Sequence, residues 1–540
     1  SRYYDYSVIE EILDQWIELE GYPDIIIVGG GLAGMSLALQ LLNRDASYAI
    51  TIIEKNTFPV PDTTAKVGES TVEIGAHYFS HVLGLQSHFE EKHLRKYGLR
   101  LFFGKGQDDF SGYDELGVSE LFGIPAYQIE RGTLENHLYT LLKDRGVVFL
   151  DAAVPGNISL GDKHHRVTCQ RGDEEITITG RWLVDAAGRQ ALLRNKLDLQ
   201  TETGHQGNAV FFRINKRVII DEWCDNEQWQ NRVCEPGKRW LSTNHLMGPG
   251  YWVWVIPLAS GATSFGIVMD DKALADSGIT TFEDTVSWLS KEHPLCAAAI
   301  EGADLLDFKV MKGYSYGCKK MFCDSGWAMT GEAGAFSDPF YSPGSDFIAL
   351  NNTFVTHLIE RDRKGQDIRF EAALFHKFYD SFFENTLSIY KDQYGGFGDR
   401  KMMSVKLVWD YTYYWGVFAL LFFTDTIGDL DTMRKITPNL LKTQKLNKKM
   451  QTMLRQRAER RLVLPAKGSF MDQFLVPCLS ELNDVLKNPD IDVEQALEKN
   501  ITIMQKIVPY FEDMLSDEPV NQIDEEEQAI LGAYRLKVLA

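Results

Sequence analysis

The chain has 540 residues, 44% of them hydrophobic and 12% aromatic, which is enough apolar material for a packed interior and too much length for one simple core. Its 56 Lys and Arg against 76 Asp and Glu leave a formal net charge of −20, a field that repels a nucleic-acid backbone, so no nucleic-acid partner is expected. The 7 cysteines have neither CxxC nor zinc-ligand spacing, and no uncharged apolar run reaches the ~18 residues of a spanning helix, so we expect no metal, no membrane span and a cytoplasmic protein.

Residues 5–20 place Val8, Ile12, Leu13, Trp16, Ile17 and Leu19 at helical spacing before Gly21-Tyr22-Pro23, which predicts a helical N-terminal extension over residues 1–23. Residues 24–28 and 49–53 are short continuous apolar runs separated by an Ala/Leu-rich helix, the pattern of a βαβ unit. Further strands are predicted at 146–150, 166–170, 175–179, 182–185, 210–214, 251–256 and 264–269. From about 345 onward the pattern is helical, with a basic stretch over 442–461 on a solvated face. The aromatic density of 401–423, including Trp409, Tyr411, Tyr413, Tyr414 and Trp415, could line an aromatic pocket, but at this density core packing is the expected use.

Gly29-Gly30-Gly31-Leu32-Ala33-Gly34 follows the first strand and opens the helix. In that position Gly29 permits a tight turn, Gly31 lets a pyrophosphate approach the backbone, and Gly34 allows close helix–strand packing. Glu54, twenty residues beyond Gly34, ends the second strand where a carboxylate accepts hydrogen bonds from an adenosine ribose. The fold class is therefore α/β with a Rossmann-like nucleotide-binding body.

Gln128-Ile129-Glu130-Arg131-Gly132-Thr133-Leu134-Glu135, Leu183-Val184-Asp185-Ala186-Ala187-Gly188-Arg189 and Gly331-Glu332-Ala333 resemble segments of the flavoprotein monooxygenase superfamily. That resemblance implies FAD as the nucleotide, with Arg131, Asp185, Gly331 and Glu332 as cofactor-site residues. Glu332 departs from the usual Asp or Asn of the third segment. Tyr251-Trp252-Val253-Trp254-Val255-Ile256-Pro257, containing Trp-x-Trp-x-Ile-Pro, narrows the likeness to the flavin-dependent halogenases. Trp252 and Trp254, two apart on a strand, share one face and can wall an active site. Gly68-Glu69-Ser70 resembles the family's Gly-Glu-Ser loop beside the flavin, and Arg95-Lys96-Tyr97-Gly98-Leu99-Arg100 the stretch that carries its catalytic lysine, which would be Lys96. Asp338-Pro339-Phe340-Tyr341-Ser342-Pro343-Gly344 resembles the loop that lies against the flavin and binds halide through backbone N–H groups, placing Ser342, Pro343 and Gly344 at the halide. Pro343 departs from that pattern, because proline has no N–H to give. Tyr341 stands where the tryptophan-halogenating branch has a glutamate, which points to a self-activating phenol-like substrate.

The expected architecture is an FAD-binding, halogenase-like body over 24–360, with a mixed β-sheet substrate region at roughly 200–320 and a helical C-terminal region over 361–540. The expected function is halogenation of an electron-rich aromatic compound, free or carrier-bound, with halide as co-substrate and reduced FAD from a separate flavin reductase. Two alternatives stay open: an aromatic hydroxylase that ignores halide, favoured by Pro343, and a flavin-bearing accessory protein whose C-terminal helices dock a partner. Oligomeric state is left open.

Overall fold

Ile25–Val28 is Ile-Ile-Ile-Val with every residue buried, as a strand must be when both faces of a parallel sheet are covered. In the computed structural model, which describes residues 22–540 apart from 65 and 107–108, it lies inside a six-stranded sheet. The order is Phe322–Cys323, Trp327–Met329, Trp182–Asp185, Ile25–Val28, Ile50–Ile53 and Val148–Leu150, parallel throughout except at the first strand. Helix Leu32–Arg44 makes the first crossover. A β-carbon on Gly29 (φ +114°) would lie 2.2 Å from the Ala186 carbonyl oxygen, and one on Gly34 would lie 2.2 Å from the Gly29 oxygen. Only glycine permits that turn and that helix-to-strand approach. The helix expected over residues 5–20 lies outside the described residues.

An eight-stranded sheet forms the second layer, in the order Leu305–Met311, Asn208–Ile214, Thr263–Met269, Tyr251–Pro257, Thr243–Gly248, Leu99–Phe103, Asp114–Gly117 and Phe470–Asp472. Trp254 lies opposite Gly266, where a β-carbon would come 2.3 Å from the indole, so the glycine makes room for the ring. The strands Leu99–Phe103 and Thr243–Gly248 were not legible as strands because Arg100, Asn244 and His245 interrupt their apolar pattern. All three are buried, and two meet partners distant in sequence: His245 bonds the Arg100 carbonyl at 3.1 Å, while Arg100 pairs with Glu115 at 3.1 Å and Arg239 meets the same carboxylate at 2.9 Å.

Helices Gly344–Arg363, Arg369–Tyr390, Arg400–Tyr413, Leu430–Ala458 and Val493–Leu515 carry most of the rest of the chain. This segment is not purely helical. Phe470–Asp472 pairs in parallel with Asp114–Gly117, and Asp114 accepts the Lys467 and Ser469 backbone N–H groups while Arg400 lies 3.0 Å from its other oxygen.

Glu115→Ala would leave two fully buried guanidinium groups without their carboxylate, a loss of about 3–5 kcal/mol. We expect a markedly lower thermal unfolding midpoint, and an unchanged midpoint would show that the triad does not hold this sheet.

Candidate active site

The loops at the carboxyl ends of the parallel strands border a cavity of about 590 Å³. Gly29, Gly31 and Glu54 line one end, Gly68, Glu69, Ser70 and Arg131 its flank, and Trp252, Trp254, Pro343 and Gly344 the other end. Glu54 is held as an acceptor by the N–H of Gly30 at 2.7 Å and that of Asn56 at 2.9 Å. A β-carbon on Gly31 would meet only Glu135 Oε1, at 3.8 Å, so this backbone is open to a ligand. Arg131 donates to the Val67 carbonyl and to Glu135, but its Nε is buried with no partner. Glu69 pairs with Arg213 and leaves Oε2 buried and unpartnered. The open glycine cradle, the Glu54 carboxylate and the orphaned polar atoms together fit FAD.

Not every expected cofactor residue reaches the cavity. Asp185 is fully buried beneath it, its carboxylate accepting the N–H groups of Ala187 at 3.0 Å and Leu193 at 2.9 Å, so it shapes the turn whose Ala186, Ala187 and Gly188 form the wall. Gly34 is likewise taken up by packing. Gly331 and Glu332 do line the cavity, with Glu332 paired to Arg189 at 3.2 Å.

The loop at the far end is fixed by Asp338. Its Oδ2 accepts from His205 at 2.6 Å, Tyr314 at 2.6 Å and Tyr394 at 2.5 Å, and its Oδ1 accepts the Phe340 N–H at 2.8 Å. Beyond it Tyr341 (φ +69°) and Ser342 (φ +54°) sit successively in the left-handed region, a conformation costing roughly 1 kcal/mol or more per non-glycine residue. Pro343 then caps the helix Gly344–Arg363. A helix start leaves its first N–H groups unpaired, so the donor that proline lacks is one the helix could not have used. Gly344 and Ser345 stand at that start and line the cavity, and a β-carbon on Gly344 would meet nothing within 4 Å.

Lys96 lies behind this cavity wall. It follows the short strand Leu94–Arg95, and Gly98 (φ +68°) turns the chain into Leu99–Phe103. Its ammonium donates to Ser70 Oγ at 3.0 Å and to the Thr71 carbonyl at 2.8 Å. Ser70 also lines the flavin cavity and bonds Thr243 at 3.0 Å, so one hydroxyl links the two compartments. An ammonium has three donors, and the third is left for the small lobe of about 40 Å³ that Lys96 lines with Glu73, Tyr411 and Trp415. Burial pulls the Lys96 pKa down to about 8, with Glu73 and Asp346 opposing the fall. Asp346 is pushed up to about 8 by its own burial while accepting from Gly75 N and Tyr414 OH, each at 2.8 Å.

A second lobe of about 60 Å³ extends from Pro343 and Phe347 to Tyr411, Tyr413 and Tyr414. The segment 401–423 thus serves both uses open to it, core and pocket lining, where core packing is the expected one. Trp409 is core, its indole N–H bonded to Asn447 at 3.0 Å, but Tyr411, Tyr413, Tyr414 and Trp415 line the lobes. Thr243, His245, Glu73 and Asp346 escaped the sequence reading, since a single polar residue in an apolar element carries no signal of what it faces. His245 donates its Nδ1 proton to the Arg100 carbonyl at 3.1 Å, and burial lowers its pKa to about 3, so it borders the cavity as a neutral ring.

A parallel sheet with a glycine cradle, joined through Ser70 to a lysine chamber, defines an FAD-dependent oxidoreductase. Residues 22–276 match the FAD binding domain family. The chain is 26% identical over 428 residues to the flavin-dependent halogenase chlA of Dictyostelium discoideum, covering 73% of this chain and 70% of that one. It is 25% identical over 350 residues to the 1H-pyrrole-2-carbonyl peptidyl-carrier-protein chlorinase of Pseudomonas fluorescens, covering 61% and 73%. Its fold is similar to that of halogenase PltM in complex with phloroglucinol and FAD, with a TM-score of 0.64 at 14% identity over 92% of this chain and 97% of that one. The FAD binding domain match and the halogenase relatives together support a place for the chain among flavin-dependent halogenases.

Gly31→Leu places a side chain into open cavity rather than into backbone. We expect a variant that folds with an unchanged circular dichroism spectrum and purifies without flavin. A full flavin complement would remove Gly31 from the nucleotide site.

Proposed function

We propose that this chain halogenates a phenol-like aromatic compound, using halide, dioxygen and reduced FAD delivered in the cytoplasm by a separate flavin reductase. The observation that carries the reading is the Lys96–Ser70 hydrogen bond, which joins a fully buried ammonium to the wall of the flavin cavity. When bound in its reduced form, FAD supplies with dioxygen the oxidising power that turns halide into hypohalous acid. The N–H groups of Gly344 and Ser345 hold the halide at the helix start, and Trp252, Trp254 and the neutral His245 keep that end of the cavity dry. Lys96 receives the hypohalous acid with its third N–H and polarises the halogen toward the aromatic ring.

The phenol assignment is supported by Tyr341, whose hydroxyl donates to Asp410 at 2.7 Å, leaving no carboxylate at the position that would steady an indole. PltM, solved with the triphenol phloroglucinol, supports it further. The chlorinase relative is named for a carrier-bound pyrrole, whereas the lobes here are small, which favours a free ring. A second reading, direct hydroxylation, draws on Pro343 alone.

Lys96→Ala should lower halogenation at least about 100-fold while flavin binding and dioxygen consumption persist, the scale expected of a positioned proton donor. Undiminished halogenation would remove Lys96 from the chemistry. Pro343→Thr restores a backbone donor, so halogenation should persist with an equal or lower half-saturating halide concentration. Oxygenated product at a rate indifferent to halide, with no halogenated product, would establish the hydroxylase instead.

A further inference from the structure

Two carboxyl groups face Lys96, and they differ in what they have left to give. Asp346 has both oxygens engaged, one by Gly75 N and one by Tyr414 OH. Glu73, at the start of the short helix Glu73–His77, lines the same lobe as Lys96, and its Oε2 is buried with no hydrogen-bond partner. Trp415 lines that lobe too, and its indole Nε1 is also buried without a partner in hydrogen-bond geometry. Trp415 stands in the π-helical segment Tyr414–Ala419, an irregularity that often marks a functional site. The Trp415 N–H lies near enough to the Glu73 carboxylate to favour its charge, yet neither has a partner in hydrogen-bond geometry, so donor and acceptor border one small aromatic-lined space and together match a hydroxyl group, which gives one proton and takes one.

We propose that Glu73 is the base that accepts the proton of the substrate's phenolic hydroxyl, with the Trp415 indole N–H donating to the same phenolic oxygen. The assignment rests on the phenol-halogenation reading and names the group that activates the ring. The hydroxyl proton passes to Glu73 Oε2, and the oxygen's electron pair moves into the ring. A ring carbon bonds the halogen, and the halogen–oxygen bond of hypohalous acid breaks with its pair going to oxygen, which leaves as water with a proton from the Lys96 ammonium. The displaced ring proton returns to the Lys96 amine, and Glu73 hands its proton back to the product's oxygen, so both groups end as they began.

The surroundings give this base a pH signature. Lys96, Arg95, Asp346, Tyr411 and Tyr414 are the titratable groups that border it or act on it. Burial raises the Glu73 pKa, and its own backbone N–H, Lys96 and Trp415 oppose the rise. Glu73 must be ionised to take a proton and Lys96 protonated to give one, so turnover rises with pH as Glu73 ionises and falls as Lys96 deprotonates near pH 8.

Binding of phenol and of its methyl ether, anisole, to the FAD-loaded protein tests the assignment by calorimetry, with flavin content as the check on folding. Glu73→Gln should weaken phenol binding about tenfold or more, the worth of a hydrogen bond to a charged acceptor, and leave anisole unchanged because the ether has no proton to give. Trp415→Phe should weaken both, since both oxygens accept. In turnover, Glu73→Gln should lose the rising limb of the pH profile while the fall near pH 8 stays. Equal phenol affinity in parent and Glu73→Gln, equal losses for phenol and anisole in that variant, or no phenol binding by the parent would each overturn the assignment. The expected binding pattern without halogenated product from the parent would keep Glu73 as the hydroxyl acceptor and sink the phenol-halogenation reading instead.

Discussion

Asp338 is the constraint on which the site depends. A fully buried carboxylate is costly unless its oxygens are satisfied, and this one draws His205, Tyr314, Tyr394 and the Phe340 N–H onto itself from four places in the chain. Burial and the Asp338 charge push the Tyr314 and Tyr394 hydroxyls well above the ordinary phenol range, so they stay protonated donors. With that knot tied, the loop after it can afford two left-handed residues in succession, and the start of the helix Gly344–Arg363 is held at the edge of the flavin cavity. Without it, the strained turn would relax and the helix start would lose that place.

The site is divided into two compartments with different electrostatics. The flavin side carries Arg131, Lys66 and Arg189 along its wall, suited to an anionic nucleotide. On the lysine side the buried Lys96 faces two carboxyls whose protonation burial favours. Low polarity around these groups makes each proton position matter more, because little solvent remains to soften the exchange. Ser70 and Thr243 are the only polar links between the two sides that the described hydrogen bonds reveal through Lys96.

Much of the nucleotide half could be read from sequence because its physics is local. Four β-branched residues in a row can only be a strand buried on both faces, and a glycine loop between strand and helix has few uses besides an anion. Asp185 shows the limit of such reading, since its motif marks a turn at the cofactor while the side chain serves the backbone below it. The chamber was far less legible. Arg100 sits at zero exposure because Glu115 waits across the sheet, and Glu73 matters because Lys96 and Trp415 converge on it from 23 and 342 residues away; no window of sequence contains those facts. Tyr411 and Trp415 were hidden differently: an aromatic-rich helix reads as core until its neighbours leave a gap.

The strand Phe470–Asp472 carries a consequence for how the molecule comes into being. It closes one edge of the sheet that contains Leu99–Phe103, while Gln473 next to it and Trp415 earlier in the same segment complete the walls around Lys96. The nucleotide cradle, by contrast, is drawn largely from the first third of the chain. As the protein leaves the ribosome, the part that holds the cofactor is therefore made well before the part that encloses the lysine. Until Trp415 and Gln473 have been synthesised, the walls around Lys96 stay unfinished, so that lobe takes shape after the nucleotide cradle.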